Sequence, residues 1–322
     1  LPCRWSEAER PQSHLTFLIF TVQMSTTRWA NALPMLAVLG SVTALGVGTS
    51  FAKQLFPVVG SLGTTALRVG LSALLMVLLW RPWRWRLARG DAAAVLRYGV
   101  ALGFMNLLFY LALRTIPFGL AVAIDFSGPL AVALSSSRRA IDFVWLALAV
   151  AGLGLLLPFR DNATALDPVG VLYALAAAVC WGAYIVFGKR LGHLHAGQSV
   201  ALGLSVAGLA VLPFGIWQAG GDLLVPQTLL YGLGVAAVSS AIPISLEMVA
   251  LKRLPQEAFG VMTSMEPAVA ALLGLLILHE HLTLWQWLAI VCIMLAAAGS
   301  SVTARPTPYN APLTGGVRRQ AV

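Results

Sequence analysis

The fold is decided by Ala250–Pro267, A-L-K-R-L-P-Q-E-A-F-G-V-M-T-S-M-E-P, and by its echo at Ala112–Pro129, A-L-R-T-I-P-F-G-L-A-V-A-I-D-F-S-G-P. Each has Ala-Leu, a base, a branched apolar residue and a proline, then a second proline twelve positions on (Pro117 to Pro129, Pro255 to Pro267). P-L-A-V-A-L follows in one and P-A-V-A-A-L in the other. A second echo lies upstream of each, G-V-G-T-S-F-A-K (Gly46–Lys53) against G-A-Y-I-V-F-G-K (Gly182–Lys189). The chain reads as two copies of one unit. Each copy holds a helix with an interior proline and an acid, Asp125 or Glu266, at membrane depth.

Working outward, 59% of the residues are hydrophobic, 10% are charged, and the mean hydropathy is +0.83. A soluble globular domain is about half apolar and about a quarter charged, so the chain belongs to the membrane class. Its net charge of +9 does not indicate nucleic acid, because the bases fall between apolar runs with no aromatic-basic groove around them. Cys3, Cys180 and Cys292 are isolated and imply neither a disulfide framework nor a zinc site.

Residues 1–30 form an N-terminal tail. Met24 opens M-S-T-T-R-W-A just before the first span, so residues 1–23 read as a start-site artefact. Within them Leu15–Val22 is too short to cross a bilayer and no small-residue cleavage pattern follows it. Ten apolar segments of about 20 residues come next. The first five are Leu33–Leu55, Leu62–Trp80, Ala92–Leu113, Pro117–Ser136 and Asp142–Pro158, in a first repeat over 31–158. The second five are Pro168–Gly188, Gly197–Gln218, Gln227–Leu251, Glu257–Leu278 and Thr283–Val302, in a second repeat over 168–303. Residues 304–322 are a polar tail.

With both termini in the cytoplasm, that side holds Arg28, the cluster Arg81, Arg84, Arg86, Arg89 and Arg97, and the pairs Arg138–Arg139, Lys189–Arg190 and Lys252–Arg253, with the remaining bases of both tails. Only Arg114 and Arg160 face outward, and Lys53 and Arg68 lie within spans. That asymmetry sets the orientation. Five spans per copy is an odd number, so the copies run inverted through the membrane. Inverted repeats are an architecture of secondary transporters. The short polar loops leave no room for a soluble catalytic domain, and no membrane-face cluster of acids, histidines or serines suggests a lipid-modifying enzyme. A channel would not need the proline-broken pair.

An ionisable side chain at mid-membrane costs roughly 2.5–3.5 kcal/mol on insertion scales, which makes each one a functional candidate. Pro129 cannot bond the carbonyl of Asp125, nor Pro267 that of Thr263 beside Glu266. Each broken helix therefore offers a carboxylate and a bare carbonyl, a receptor for an ammonium group or a proton. The competing reading pairs these acids with Arg68 or Lys53. Glu247, four residues after Pro243, either serves substrate or proton or snorkels towards Lys252. Arg68 either meets a substrate carboxylate or orders helices through an ion pair. Lys53 and Lys189 read as snorkelling ends. Trp181, inside the sixth span, is either packing or cavity lining. His279-Glu280-His281 lacks the H-E-x-x-H spacing, so no metal is expected. Ala44, Gly48, Gly99 and Gly103 read as close helix packing.

Two five-span copies, the base in A-L-R-V-G, and C-W-G-A-Y-I-V-F-G-K-R opening the second copy resemble the EamA-type drug/metabolite transporter superfamily. Within it, I-D-F-S-G-P-L-A-V-A-L-S-S-S-R-R, P-I-S-L-E-M-V-A-L-K-R-L-P and T-S-M-E-P-A-V-A are similar to the bacterial threonine/homoserine exporters, from about Leu33 to Val302. Those exporters have Glu where this chain has Asp125, which keeps the charge and shortens its reach. The resemblance implies an inner-membrane protein that moves small amino acids outward, driven by a proton gradient and without a cofactor. An amino-acid zwitterion needs an acid for its ammonium and a base for its carboxylate, with Asn106, Ser127 and Tyr184 available to its side chain. Exclusive binding of proton or ammonium at Asp125 or Glu266 gives antiport. The alternative is a drug, aromatic amino acid or purine exporter of the same fold. The oligomeric state is left open.

Overall fold

The computed structural model describes residues 13–84, 87, 89–135, 140–156, 166–251, 254 and 256–303. The basic pairs Arg138–Arg139 and Lys252–Arg253, with Arg86, Arg160, residues 1–12 and the tail 304–322, lie outside the described residues. All regular elements described are helical. In order they are α1 (Ser13–Lys53), α2 (Phe56–Trp80), α3 (Arg89–Ala112), α4 (Phe118–Asp125), α5 (Ser127–Ser135), α6 (Ala140–Leu156), α7 (Pro168–Lys189) and α8 (Ala196–Ala219). They continue as α9 (Pro226–Ala236), a π-turn (Ala237–Ala241), α10 (Ile242–Leu251), α11 (Gln256–Thr263), α12 (Glu266–Ile277) and α13 (Leu284–Thr303).

Among the described residues eight stretches are long and apolar enough to cross a membrane, where ten are expected along the whole chain. The fourth and fifth expected spans are shorter apolar helices, Phe118–Val132 and Phe143–Leu155. Within the fourth, α4 and α5 part at Phe126, three residues before Pro129, where the missing proline N–H interrupts the ladder. The first expected span is longer than its apolar core, because α1 starts at Ser13 and runs through Leu33–Lys53 without a break.

Packing follows the internal repetition. α3 lies along α7 as α10 lies along α1, and α5 meets α7 as α11 and α12 meet α1. α2 runs along α8, α6 along α13, and α4 crosses α12. Exchanging the first five segments for the last five leaves this pairing unchanged. Small residues permit the approach, as expected for Gly48, Gly99 and Gly103. Gly99 and Gly103 of α3 sit against the α8 backbone at Gly203 and Ala207, and Gly48 of α1 sits against Ser239.

Two caps hold helix starts that the periodicity alone would leave open. Gly60 has φ +71°, a conformation that an L side chain resists, and it interrupts the first turn of α2. The freed N–H groups of Leu62 and Gly63 donate to Oε1 of Gln218 from α8, at 2.7 and 3.3 Å. At α7, Asp167 is the N-cap and accepts from the N–H groups of Val169 and Gly170, both at 3.2 Å. Thr115 first, then these two donors, hold the Asp167 carboxyl below its ordinary value. A carboxyl depressed by folding adds stability above its unfolded pKa, and that stability is lost as pH falls through the folded one. Melts of Asp167→Asn should accordingly lose less stability than wild type on the acid side of the carboxylate range. Equal losses would separate this cap from acid stability.

Candidate substrate and proton site

Three helix irregularities fall inside the membrane segments, each just before a buried or half-buried proline. α4 gives way to α5 at Phe126 ahead of Pro129, α11 to α12 across Ser264 and Met265 ahead of Pro267, and α9 to α10 through the π-turn ahead of Pro243. Pro34 and Pro213, by contrast, lie inside the continuous helices α1 and α8. Asp125 closes α4 and Glu266 opens α12, so both expected acids lie at breaks.

α4 and α12 cross closely because Gly119 has no side chain facing Ala271. The crossing brings the acids together. Glu247 is the third acid of these irregular segments, on α10 just after the π-turn. Asp125 is 6% exposed, and its Oδ1 accepts no hydrogen bond from the described residues. Buried polar atoms are ordinarily paired, so this oxygen has acceptor capacity that the described residues do not use. Glu247 accepts from the Ser41 hydroxyl of α1 at 2.8 Å. Its other expected neighbour, Lys252, lies outside the described residues.

Neither base pairs with these acids, which corrects the ion-pair reading of the sequence. Arg68 of α2 donates through Nε to Ser239 Oγ at 3.0 Å and through Nη1 to Oδ1 of Asn106. Its guanidinium lies 5.4 Å from the ring centroid of the fully buried Tyr110. Asn106 is fixed in turn by donating to the Leu102 carbonyl at 2.8 Å. Lys53 does not snorkel freely, because it forms a 2.6 Å ion pair with Glu280. Lys189, in the matching place, is exposed at the end of α7.

The aromatic candidates line the same region. Trp181 meets Phe126 edge-on at 5.4 Å, beside the α4–α5 break. Tyr184 stacks on Tyr98 at 4.7 Å, with their hydroxyls 3.2 Å apart. Ser127 is half-buried as the first residue of α5. Among the described residues no group of three or more metal-ligating side chains comes together.

Two side-chain partners are not anticipated by the sequence reading. One is Ser239, whose partner is 171 positions away. The other is Glu280, which is 227 positions from Lys53 and also accepts from the Phe118 N–H at 2.7 Å. It ties the end of α1 to the start of α4 and to the turn after α12. Glu280→Ala should lower stability by roughly 1–3 kcal/mol, since it orphans a charge and a helix-start donor. Glu280→Gln, which keeps an acceptor for Phe118, should recover part of that in a detergent melt; no recovery would assign the loss to the ion pair alone.

This arrangement can be set beside known proteins. A family model described as the EamA-like transporter family matches residues 168–302. Threonine/homoserine exporter RhtA of Salmonella typhimurium (strain SL1344) is 46% identical over 284 residues, covering 88% of this chain and 96% of the relative. The protein of that name from Escherichia coli (strain K12) is 47% identical over 273 residues, covering 85% and 92%. The chain belongs to the EamA-like transporter family. Another relative is Uncharacterized transporter YwfM of Bacillus subtilis (strain 168), 25% identical over 248 residues, with 72% and 81% covered. A solved crystal structure shares the fold at TM-score 0.51 and 22% identity, over 85% of this chain and 98% of the other. As an EamA-like transporter the chain is a multi-pass membrane protein, and the two threonine/homoserine relatives are named as exporters rather than enzymes.

Proposed function

We propose that this transporter exports threonine, homoserine and related small amino acids across the bacterial inner membrane, by exchange for protons in an alternating-access cycle. The observation that carries it is near-full-length identity of 46–47% to exporters named for those two amino acids. The exchange-symmetric helix pairing supports two inverted five-helix repeats, over 31–158 and 168–303, and the placement of the bases along the sequence supports both termini in the cytoplasm. Two such halves rock about a central site and open it to each side in turn.

The chemistry follows from the separated charges. A carboxylate kept from water takes up either a proton or an ammonium group, and desolvation favours neutralising it one way or the other. At Asp125 or Glu266, proton arrival from outside displaces the substrate ammonium, and substrate arrival from the cytoplasm displaces the proton. The zwitterion carries no net charge, so each entering proton also draws on the membrane potential, roughly 2.3 kcal/mol per 100 mV. The proton gradient is the energy source, and no cofactor enters the cycle.

Cells expressing the full chain, preloaded with labelled threonine or homoserine, should release both faster than control cells and stop when an uncoupler is added. Protein present in the membrane that releases neither amino acid would remove this reading. The Tyr98–Tyr184 stack and the Phe126–Trp181 contact would then favour an aromatic, drug or purine cargo.

A further inference from the structure

We infer that Arg68, held by Asn106 and Ser239, is the subsite that reads a carboxylate on the transported molecule, and that Ser239 on the π-turn is its positioning residue. This rests on the reading of the chain as an amino-acid exporter and adds a chemical requirement to it.

The guanidinium sits about midway along α2, where a lone cation needs a counter-charge. Its partners are a neutral amide and a neutral hydroxyl, and among the described residues no carboxylate pairs with it. Both partners accept, and neither removes charge. Nε and one N–H of Nη1 are committed to them, which leaves Nη2 and the rest of Nη1 for a planar anion. A carboxylate matches that fork. The acids that would take a substrate ammonium stand on α4, α10 and α12, on separate helices from Arg68.

The π-turn explains why the cation is held without being neutralised. Arg68 and Ser72 stand four apart on one face of α2. A regular helix would turn consecutive serines to different faces, yet Ser239 reaches Arg68 and Ser240 reaches Ser72, the latter at 2.7 Å. Widening the helix over Ala237–Ala241 sets both against α2. The turn is wedged from behind as well, because a Cβ on Gly48 of α1 would stand 2.7 Å from the Cβ of Ser239. The position of the guanidinium is thus set by three helices.

The experiment measures labelled-threonine efflux from cells expressing the full chain, with unlabelled homoserine or threoninamide as the internal competitor. Homoserine should compete and threoninamide, which lacks the carboxylate, should not. Ser239→Ala should raise the apparent KM for threonine about tenfold while leaving the maximal rate within about twofold, and Ser239→Thr should restore it. Arg68→Gln should lose on the order of a hundredfold in rate over KM and, in what activity remains, no longer distinguish the two competitors. Threoninamide competing as well as homoserine in wild type, or Ser239→Ala lowering the rate with KM unchanged, overturns the subsite while export stands. Absence of threonine efflux from wild type overturns the exporter reading, and this subsite falls with it.

Discussion

Asp125→Asn and Glu266→Gln, each alone, should reduce uncoupler-sensitive threonine efflux to the level of cells lacking the protein. Both substitutions keep the size and hydrogen-bonding capacity of the side chain and remove only the site for a proton or an ammonium charge. Structural damage should be slight, because Asp125 Oδ1 has no hydrogen bond to lose among the described residues and neither acid forms an ion pair there. The two variants need not fail alike. An acid that binds the ammonium is needed for exchange of labelled for unlabelled threonine as well as for net efflux. An acid that only couples the proton is needed for net efflux, and exchange should survive its loss. Measuring both reactions in both variants assigns the roles. If pH-driven efflux persists in both, with protein in the membrane, these carboxylates are not the coupling groups and antiport through them is wrong.

Gly128→Ala should be far more damaging than its single added methyl suggests. A Cβ at Gly128 of α5 would lie 2.0 Å from the Ala178 carbonyl oxygen and 2.8 Å from its carbon, both backbone atoms of α7. No rotamer can relieve a clash with backbone, so the two helices must part next to the α4–α5 break. Overpacking of a close contact typically costs about 1–3 kcal/mol, and a contact this short belongs at the upper end. Gly119→Ala should behave similarly, since its Cβ would meet Ala271 Cα at 2.5 Å. Gly234→Ala is the control, with nothing within 4 Å of its Cβ, and helix propensity should leave it neutral or slightly stabilised. Melting in detergent and membrane yield separate the three. Gly128→Ala melting with Gly234→Ala would mean that α5 and α7 are not in this contact.

What the sequence makes legible here is whatever is written in periodicity, proline and charge. Pro129, Pro243 and Pro267 each follow a break in a helix, whereas Pro34 of α1 and Pro213 of α8 lie inside continuous ones, so a missing N–H marks a possible break and the surroundings decide it. Asp125, Glu247 and Glu266 are visible because an acid in an apolar run is costly wherever it ends up. Partners are another matter. Arg68 invites an acidic mate, yet finds Asn106 and Ser239, since helix rotation rather than charge decides who meets across 38 and 171 positions. A serine in a membrane helix has no signal of its own, for its hydroxyl can also return to the carbonyl four residues back. Lys53 and Glu280 each have a sufficient local explanation, so nothing in the sequence asks for their pairing.

The helix pairing also constrains how the protein comes to exist in the bilayer. Nearly every helix of the first half takes its main neighbour from the second: α2 from α8, α3 from α7, α6 from α13 and α1 from α10. The halves repeat one another in sequence, but they are interleaved rather than modular. During synthesis the first five segments enter the lipid with their small-residue faces uncovered and with Arg68 separated from a serine not yet made. A ribosome adds roughly 5–20 residues per second, so that half waits several seconds or more for its complement. Membrane quality control meets the nascent chain in that interval, and a substitution at a shared face is felt there before any amino acid has been moved.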